Sequence, residues 1–401
     1  MIWHRAISLV NARVVTERGV ADTLRFASHI VAIGDQPEPG DAVVDAMGGF
    51  VLPGLVNAHD HLELNHFGRL KFRERYCNAS EWIDDMRPRL SDDRGIRAAR
   101  GRPLSDRLFV GALKNLVSGV TTVAHHNPFY RELRGMPVRV LRRYGWAHSF
   151  SLEGQPAGAR GERGGGVQDR FRSTASDRPF FVHLAEGIDA AAHDELRRLH
   201  ELGCLGPNTV IVHGVALDRG DWRRVALAGA SLVWCPASNL YLFGQTIDPA
   251  QATAWGTTNR IALGTDSRLT GSRDLLDELR IACESSTVPR SSLLGMVTTA
   301  AAQVIRQPQL GCIRRGAPAD LIVVPGADGE AIDALLATSR RDVDLVTVAG
   351  RPMIARAAFA AVFDRRGYEQ IEIDGTRKLA DVALARRIAA CSIAEPGVAA
   401  A

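Results

Sequence analysis

Apolar and polar positions alternate along the chain with two distinct textures. From Ala6 to Val51 the runs ISLVNARVV, FASHIVAIG and AVVDAMGGFVL are β-rich and broken by Gly, Pro and Asp, the punctuation of hairpins. After Pro53 and Gly54 the pattern changes to short apolar strands separated by Arg- and Ala-rich helical stretches, and such βα alternation predicts a mainly parallel sheet. Strands are expected at Leu55–His61, Val120–Ala124, Trp146–Leu152, Phe180–Leu184, Val210–His213, Leu232–Cys235 and Ile261–Gly264. Leu275–Ser285 and Ser292–Ile305 read as helices. From Gly311 the β texture returns in GCIRRGAPADLIVVPG and DLVTVAGRPMIA, Lys378 to Ala390 reads as helical, and AEPGVAAA as a frayed tail.

Chemistry-bearing residues recur at the ends of these apolar runs. His59 and His61 flank Asp60, and alternate side chains of a strand share a face, so both imidazoles point the same way and can grip one metal ion. A lone His-x-His also arises by chance in strands and loops. Here it is followed by His183 and Glu186 in FFVHLAEG, His213 in TVIVHG and Asp266 in IALGTDS, each closing a similar run. Glu186, three residues after His183, is placed to shuttle a proton between water and a leaving group, although alone it reads equally as a solvated or helix-capping carboxylate. Asp60, between the histidines and facing away from them, needs a buried Arg or hydrogen-bond donor. His125 and His126 read as packing residues or as the rim of a pocket.

The ordered set VVDAMGGFVLPGLVNAHDH, HLAE, VHG, CPASN, GTDS and GCIRRGAPADLIVV resembles the amidohydrolase superfamily over nearly the whole chain, specifically its mononuclear deaminase branch. The resemblance implies a (β/α)8 TIM barrel, distorted where no strand can be placed between Leu152 and Phe180, with a small discontinuous β-sandwich domain. Residues 1–53 would form the first part of the sandwich, 54–310 the metal-dependent hydrolase barrel, and 311–401 the rest of the sandwich with a C-terminal helix and tail. Such barrels carry their chemistry at the carboxyl ends of the strands, where these residues fall. His59, His61, His183 and Asp266 would hold one divalent metal per chain, zinc or alternatively iron. A bound ion of this kind lowers the pKa of water from about 15.7 to roughly 7, which supplies hydroxide near neutral pH. Glu186, His213 and Asp266 would be catalytic, with His213 orienting the water and polarising the substrate. A two-metal site normally needs a bridging lysine, and no lysine lies between Lys114 and Lys378; Glu153 is the remaining candidate bridge.

Glu63, Asn65 and Arg69 follow the first strand onto the catalytic face and are candidates for substrate binding, Arg69 toward a carboxylate or phosphate. Ser238 and Asn239 of CPASN are candidates for the substrate or for supporting the neighbouring ligands. Trp146, Phe150, Tyr241 and Phe243 could stack on a heterocycle or simply pack. The expected reaction is hydrolytic deamination of an amino-substituted N-heterocycle. Ring opening of a cyclic amide, as in the similar imidazolonepropionases, or displacement of another leaving group are the alternatives within the family, and a catalytically silent scaffold is the alternative outside it.

Composition adds only boundaries. With 401 residues the chain can bury a large core. Only three of its 49 basic residues are lysines, the arginines are scattered, and no nucleic-acid signature is present. The six cysteines are dispersed without a C-x-x-C pair and read as reduced thiols. With no run of 18 uninterrupted apolar residues and no long apolar N-terminal segment, a cytoplasmic enzyme that acts on a small molecule is expected, and the superfamily resemblance suggests a homodimer. The glycines of 161–166 read as a mobile loop, since no GK[ST] follows.

Overall fold

The computed structural model describes residues 5–152, 166–253, 255–256, 258–326 and 328–400. Glu153 and glycines 161 and 164–165 lie outside them.

Eight parallel strands carry the middle of the chain. β1 (Leu55–Asp60), β2 (Val120–His125) and β3 (Arg139–Val140) form one sheet, while β4 (Gly145–Ala147), β5 (Phe180–Leu184), β6 (Thr209–His213), β7 (Ser231–Trp234) and β8 (Ile261–Leu263) form another. A single parallel bridge, Asp60 with Asp266, joins the end of β1 to the residues just past β8, and the Asp266 amide donates to the His59 carbonyl at 3.1 Å. Every residue of β1, β2, β5, β6 and β8 is buried, which is why these strands read as unbroken apolar runs.

The eighth parallel strand was not legible. It is β3, two residues long and paired with Thr122 and Val123 of β2, upstream of the gap in which it was sought. Among the described residues no strand lies between Leu152 and Phe180, and Val167–Ser173 is helical. The strand expected at Trp146–Leu152 stops at Ala147.

Helices α1 (Ala79–Asp92) and α2 (Leu104–Val117) lie between β1 and β2; α3 (Ala190–Glu201), α4 (Arg219–Ala228) and α5 (Pro236–Phe243) follow β5, β6 and β7. Local chemistry sets their ends. The Asn78 side chain caps α1, Asp218 and Asp221 form a reciprocal capping box on α4, and Pro236 opens α5 where a missing N–H costs nothing. The helix expected over Ser292–Ile305 is two, Arg290–Met296 and Thr299–Val304, because the chain breaks at Val297, whose carbonyl accepts the Val56 amide at 2.8 Å. No helix of the described residues is long and apolar enough to cross a membrane.

Both ends of the chain meet in one nine-stranded sheet. Phe50–Pro53 pairs antiparallel with Leu321–Val324 on one side and parallel with Arg13–Thr16 on the other. Ile7, Leu9, Val44 and Val51 share an apolar core with Ile313, Leu321, Leu345 and Phe363. Two expectations near the C-terminus are corrected. Thr376–Asp381 is a strand, with Lys378 buried and its ammonium on the Val343 carbonyl, so the terminal helix α6 is only Val382–Ala390. The supposed frayed tail is ordered: Val398–Ala400 pairs with Ile371–Ile373, and Glu395 is buried.

Candidate active site

The carboxyl ends of β1, β5, β6 and the loop after β8 converge on one cluster of side chains. His61 Nε2 lies 3.4 Å from His183 Nε2 and 3.6 Å from Asp266 Oδ1, and His59 Nε2 lies 3.9 Å from the same oxygen. The donor atoms of His59, His61 and Asp266 fall within 4.8 Å of one another, as do those of His59, His183 and His213. His213 Nε2 stands 3.5 Å from Glu186 Oε1. The structure thus brings together all six residues that the motifs single out.

The backbone turns sharply to achieve this. Ala185, His213 and Asp266 adopt φ of 52°, 75° and 52°, left-handed conformations that L-residues with side chains rarely hold, and such strain gathers at functional sites. Packing is equally tight behind His59, where a Cβ added to Gly264 would sit 2.7 Å from the His59 Cβ.

Each side chain is oriented by a neighbour. His183 Nδ1 donates to the His148 carbonyl at 2.8 Å and His213 Nδ1 donates to Asn239 Oδ1 at 2.9 Å, so each turns its Nε2 toward the cluster. Ser238 and Thr270 both donate to Asp266 Oδ2 at 2.8 Å, leaving Oδ1 to face the histidines. Burial holds His59 and His183 well below the usual imidazole range, reinforced by the surrounding histidines. Burial also lowers His61, against the pull of Asp266 and Glu63. Neutral imidazoles are the ligating form. Both nitrogens of His59 are buried and unpartnered among the described residues, an arrangement that is costly unless an electrophile sits beside them. Three imidazoles and a carboxylate therefore fit a divalent metal ion.

Glu186 is pushed up to about 7, mainly by burial, with Asp266 acting in the same direction and His213 opposing. A carboxyl group with that affinity both gives and takes a proton near neutrality.

A cavity of about 220 Å³ opens onto His61, His183, Glu186, His213 and Asp266. Its walls are largely apolar: Leu64, Trp82, Ile83, Leu152, Leu242 and Leu269, with Asn127, His148 and Thr270 among the polar members. None of the five residues expected at the substrate lines it. Asn65 is buried, and its amide is committed to Asp60 and Lys114. Glu63 is buried beside His125, accepts from Asn127, and is raised chiefly by burial. Arg69 is exposed, donates to the Gly271 carbonyl at 2.9 Å and lies over the Tyr241 ring. Ser238 and Asn239 act on Asp266 and His213, as supports. Among the aromatics, Arg170 covers Trp146, Arg198 covers Phe150 and Phe243 is buried, so none of the four lines the cavity; Trp82 does.

Sequence reasoning also left Asp60 without a partner. Lys114 of α2 is that partner, with Nζ 3.2 Å from Asp60 Oδ2 and both side chains fully buried. Asp60 accepts further hydrogen bonds from Asn57, Asn65, Asn115 and Thr265. The signal was present, since Lys114 and Asn115 interrupt the otherwise apolar run LFVGALKNLV. His125 and His126 are both buried, and His126 Nε2 donates to the Ala147 carbonyl at 2.9 Å.

The amidohydrolase family model matches residues 175–353. The 5-methylthioadenosine/S-adenosylhomocysteine deaminase of Halobacterium salinarum is 27% identical over 352 residues, covering 75% of this chain and 78% of its own. The 5′-deoxyadenosine deaminase of Methanosarcina mazei is 23% identical over 377 residues, covering 79% and 84%. Among solved structures, a zinc-complexed atrazine chlorohydrolase from Arthrobacter aurescens superposes with a TM-score of 0.70 at 19% identity, covering 86% of this chain and 95% of that one. An adenosine deaminase from Xanthomonas campestris with bound zinc gives 0.66 at 19% identity, covering 86% and 92%. The matches bear out the resemblance to the amidohydrolase superfamily that the motifs carry. The matches support a hydrolase of carbon–nitrogen bonds other than peptide bonds, and the chain shares the mixed α/β fold of its solved neighbours.

Proposed function

We propose that the chain is a hydrolytic deaminase of an amino-substituted N-heterocycle, and that adenosine derivatives are the class to test first. The observation that carries this reading is the pairing of Glu186 with His213 at 3.5 Å on the wall that also presents His61, His183 and Asp266. The relatives named for deamination of adenosine derivatives support the substrate class.

In this reading His59, His61, His183 and Asp266 hold one zinc ion. When bound, the ion supplies an acidified water at the cavity floor. Glu186, near its midpoint at neutral pH, takes one proton from the attacking water and delivers it to the ring nitrogen, and the second proton, from the hydroxyl now on the ring carbon, passes by way of Asp266 to the amine, which departs as ammonia. His213, fixed by Asn239 through Nδ1, presents Nε2 as an acceptor that orients the attacking water. The apolar walls exclude water and pack the ring, with Trp82 offering an aromatic face. We further propose that the eight parallel strands close as a (β/α)8 barrel over residues 54–310, with a β-sandwich from 1–53 and 311–401. The Asp60–Asp266 bridge and the sheet shared by the two chain ends support that division.

The test is ammonia release by zinc-loaded protein across 5′-modified adenosines, aminopyrimidines, aminotriazines and pterins. A preferred aminopurine is the expected result. Metal-loaded protein that releases ammonia from none of them, yet opens a cyclic amide by product mass, would replace deamination with ring opening.

A further inference from the structure

We infer that Glu395, in the C-terminal segment, is a positioning residue for the loop that carries Asp266, acting through Arg268. The inference rests on the reading of Asp266 as a metal ligand. Glu395 is 2% exposed, and its two oxygens accept from Arg268 Nη1 at 2.8 Å and Nη2 at 2.5 Å, a bidentate pair. Arg340 Nη1 also donates to Glu395, at 2.6 Å. The two arginines differ in what else they have. Arg340 pairs with Asp374 at 2.8 Å and approaches Asp274 at 3.8 Å. Among the described residues Arg268 has no other carboxylate, and its remaining donors reach backbone carbonyls such as that of Arg273 at 3.1 Å.

Arg268 stands two residues after Asp266, and Ser267, Leu269 and Thr270 of the same loop line the cavity. Its own amide donates to Asn65 Oδ1 at 3.2 Å, and the Asn65 amide donates to Asp60 Oδ1 at 2.6 Å. The tail carboxylate is therefore connected to both ligand-bearing segments, β1 and the loop after β8. Asp266 is held in a left-handed conformation that an untethered loop would relax. Glu395 is itself presented firmly: the Arg340 guanidinium donates to the Pro396 carbonyl at 2.7 Å, the Asp374 amide donates to the Gly397 carbonyl at 2.7 Å, and Val398 pairs with Ile373. Removing the carboxylate leaves the Arg268 guanidinium buried without a counter-charge. Its relief is to swing toward water and take the Asp266 loop with it.

The experiment compares cobalt(II) binding by the full chain, E395Q, R268Q, D374N and R268Q/E395Q, read by competition with a chromophoric chelator and by the visible spectrum of the bound cobalt. We expect E395Q to bind cobalt at least tenfold more weakly with an altered spectrum, and R268Q/E395Q to lose no more than the larger single loss of E395Q or R268Q. D374N breaks the contacts of Asp374 with Arg340 and Arg273 but leaves the Arg268–Glu395 pair intact, and should lower Tm while keeping parental cobalt affinity and spectrum. If E395Q does not fold, R268M/E395M, which buries no lone charge, replaces it with the same expected loss. Cobalt affinity in E395Q or R268M/E395M within twofold of the parent overturns the positioning role, as does an equal loss in D374N. Absence of cobalt binding by the parent overturns the metal-site reading and the positioning role with it, so the two failures are distinguishable.

Discussion

The two faces of β1 are built on opposite terms. On one, His59 and His61 meet His183 and Asp266 with the nitrogens of His59 unpartnered. On the other, one residue along in register, Asp60 collects Lys114 and four amide or hydroxyl donors. Alternation in a strand makes this separation automatic. The saturated face fixes the backbone so that the unsaturated face can keep nitrogens free for an ion. Polar satisfaction in the core and polar deficit in the site are two products of a single tripeptide, His59-Asp60-His61.

The largest effect is expected from breaking the saturated face. Lys114→Met leaves Asp60 buried without its partner, and removing one member of a buried pair costs about 3–5 kcal/mol. Urea unfolding of this variant and of D60N/K114M should show the double variant recovering part of the loss; equal losses would mean the pair is not coupled. On the unsaturated face, Glu186→Gln should keep metal and Tm while kcat falls by roughly 10²–10⁴, the scale of a lost general acid/base. Parental turnover in that variant removes Glu186 from the chemistry.

A third, smaller effect concerns pH in the metal-free protein. Burial lowers His125 to about 4 from an ordinary 6.5, so between those values the unfolded chain binds more protons than the folded one. Its contribution is fully present above 6.5 and is lost as pH falls toward 4. His125→Gln should accordingly shift the acid-unfolding midpoint, followed by circular dichroism, to lower pH; an unchanged or higher midpoint would show that His125 is not a driver. The smallest effect is predicted for Arg69→Glu, because the guanidinium is exposed and outside the cavity. KM should change less than twofold, and a tenfold rise would return Arg69 to the substrate.

What was legible in the sequence follows from the same contrast. His59, His61, His183, His213 and Asp266 each end an apolar run, so burial of the strand announces the candidate site residue. Their supports were harder to read. Lys114 reaches Asp60 only because α2 packs under β1, a contact across 54 positions that no local pattern encodes. Asn65 and Arg69 follow β1 in sequence, but one turns inward to the buried network and the other outward, and a list of polar residues cannot separate them. The two-residue β3 is too short to show a period. AEPGVAAA looks like solvent-exposed tail because the partners of Glu395, Arg268 and Arg340, lie far away in the chain.

The sheet shared by the two chain ends has a consequence for biosynthesis. Phe50–Pro53, immediately before β1, has its antiparallel neighbour at Leu321–Val324. A ribosome has to deliver those later residues before the strand leading into β1 is flanked on both sides, and long-range pairing of this kind is slow to form. The nascent chain thus carries His59 and His61 long before it carries the framework that spaces them.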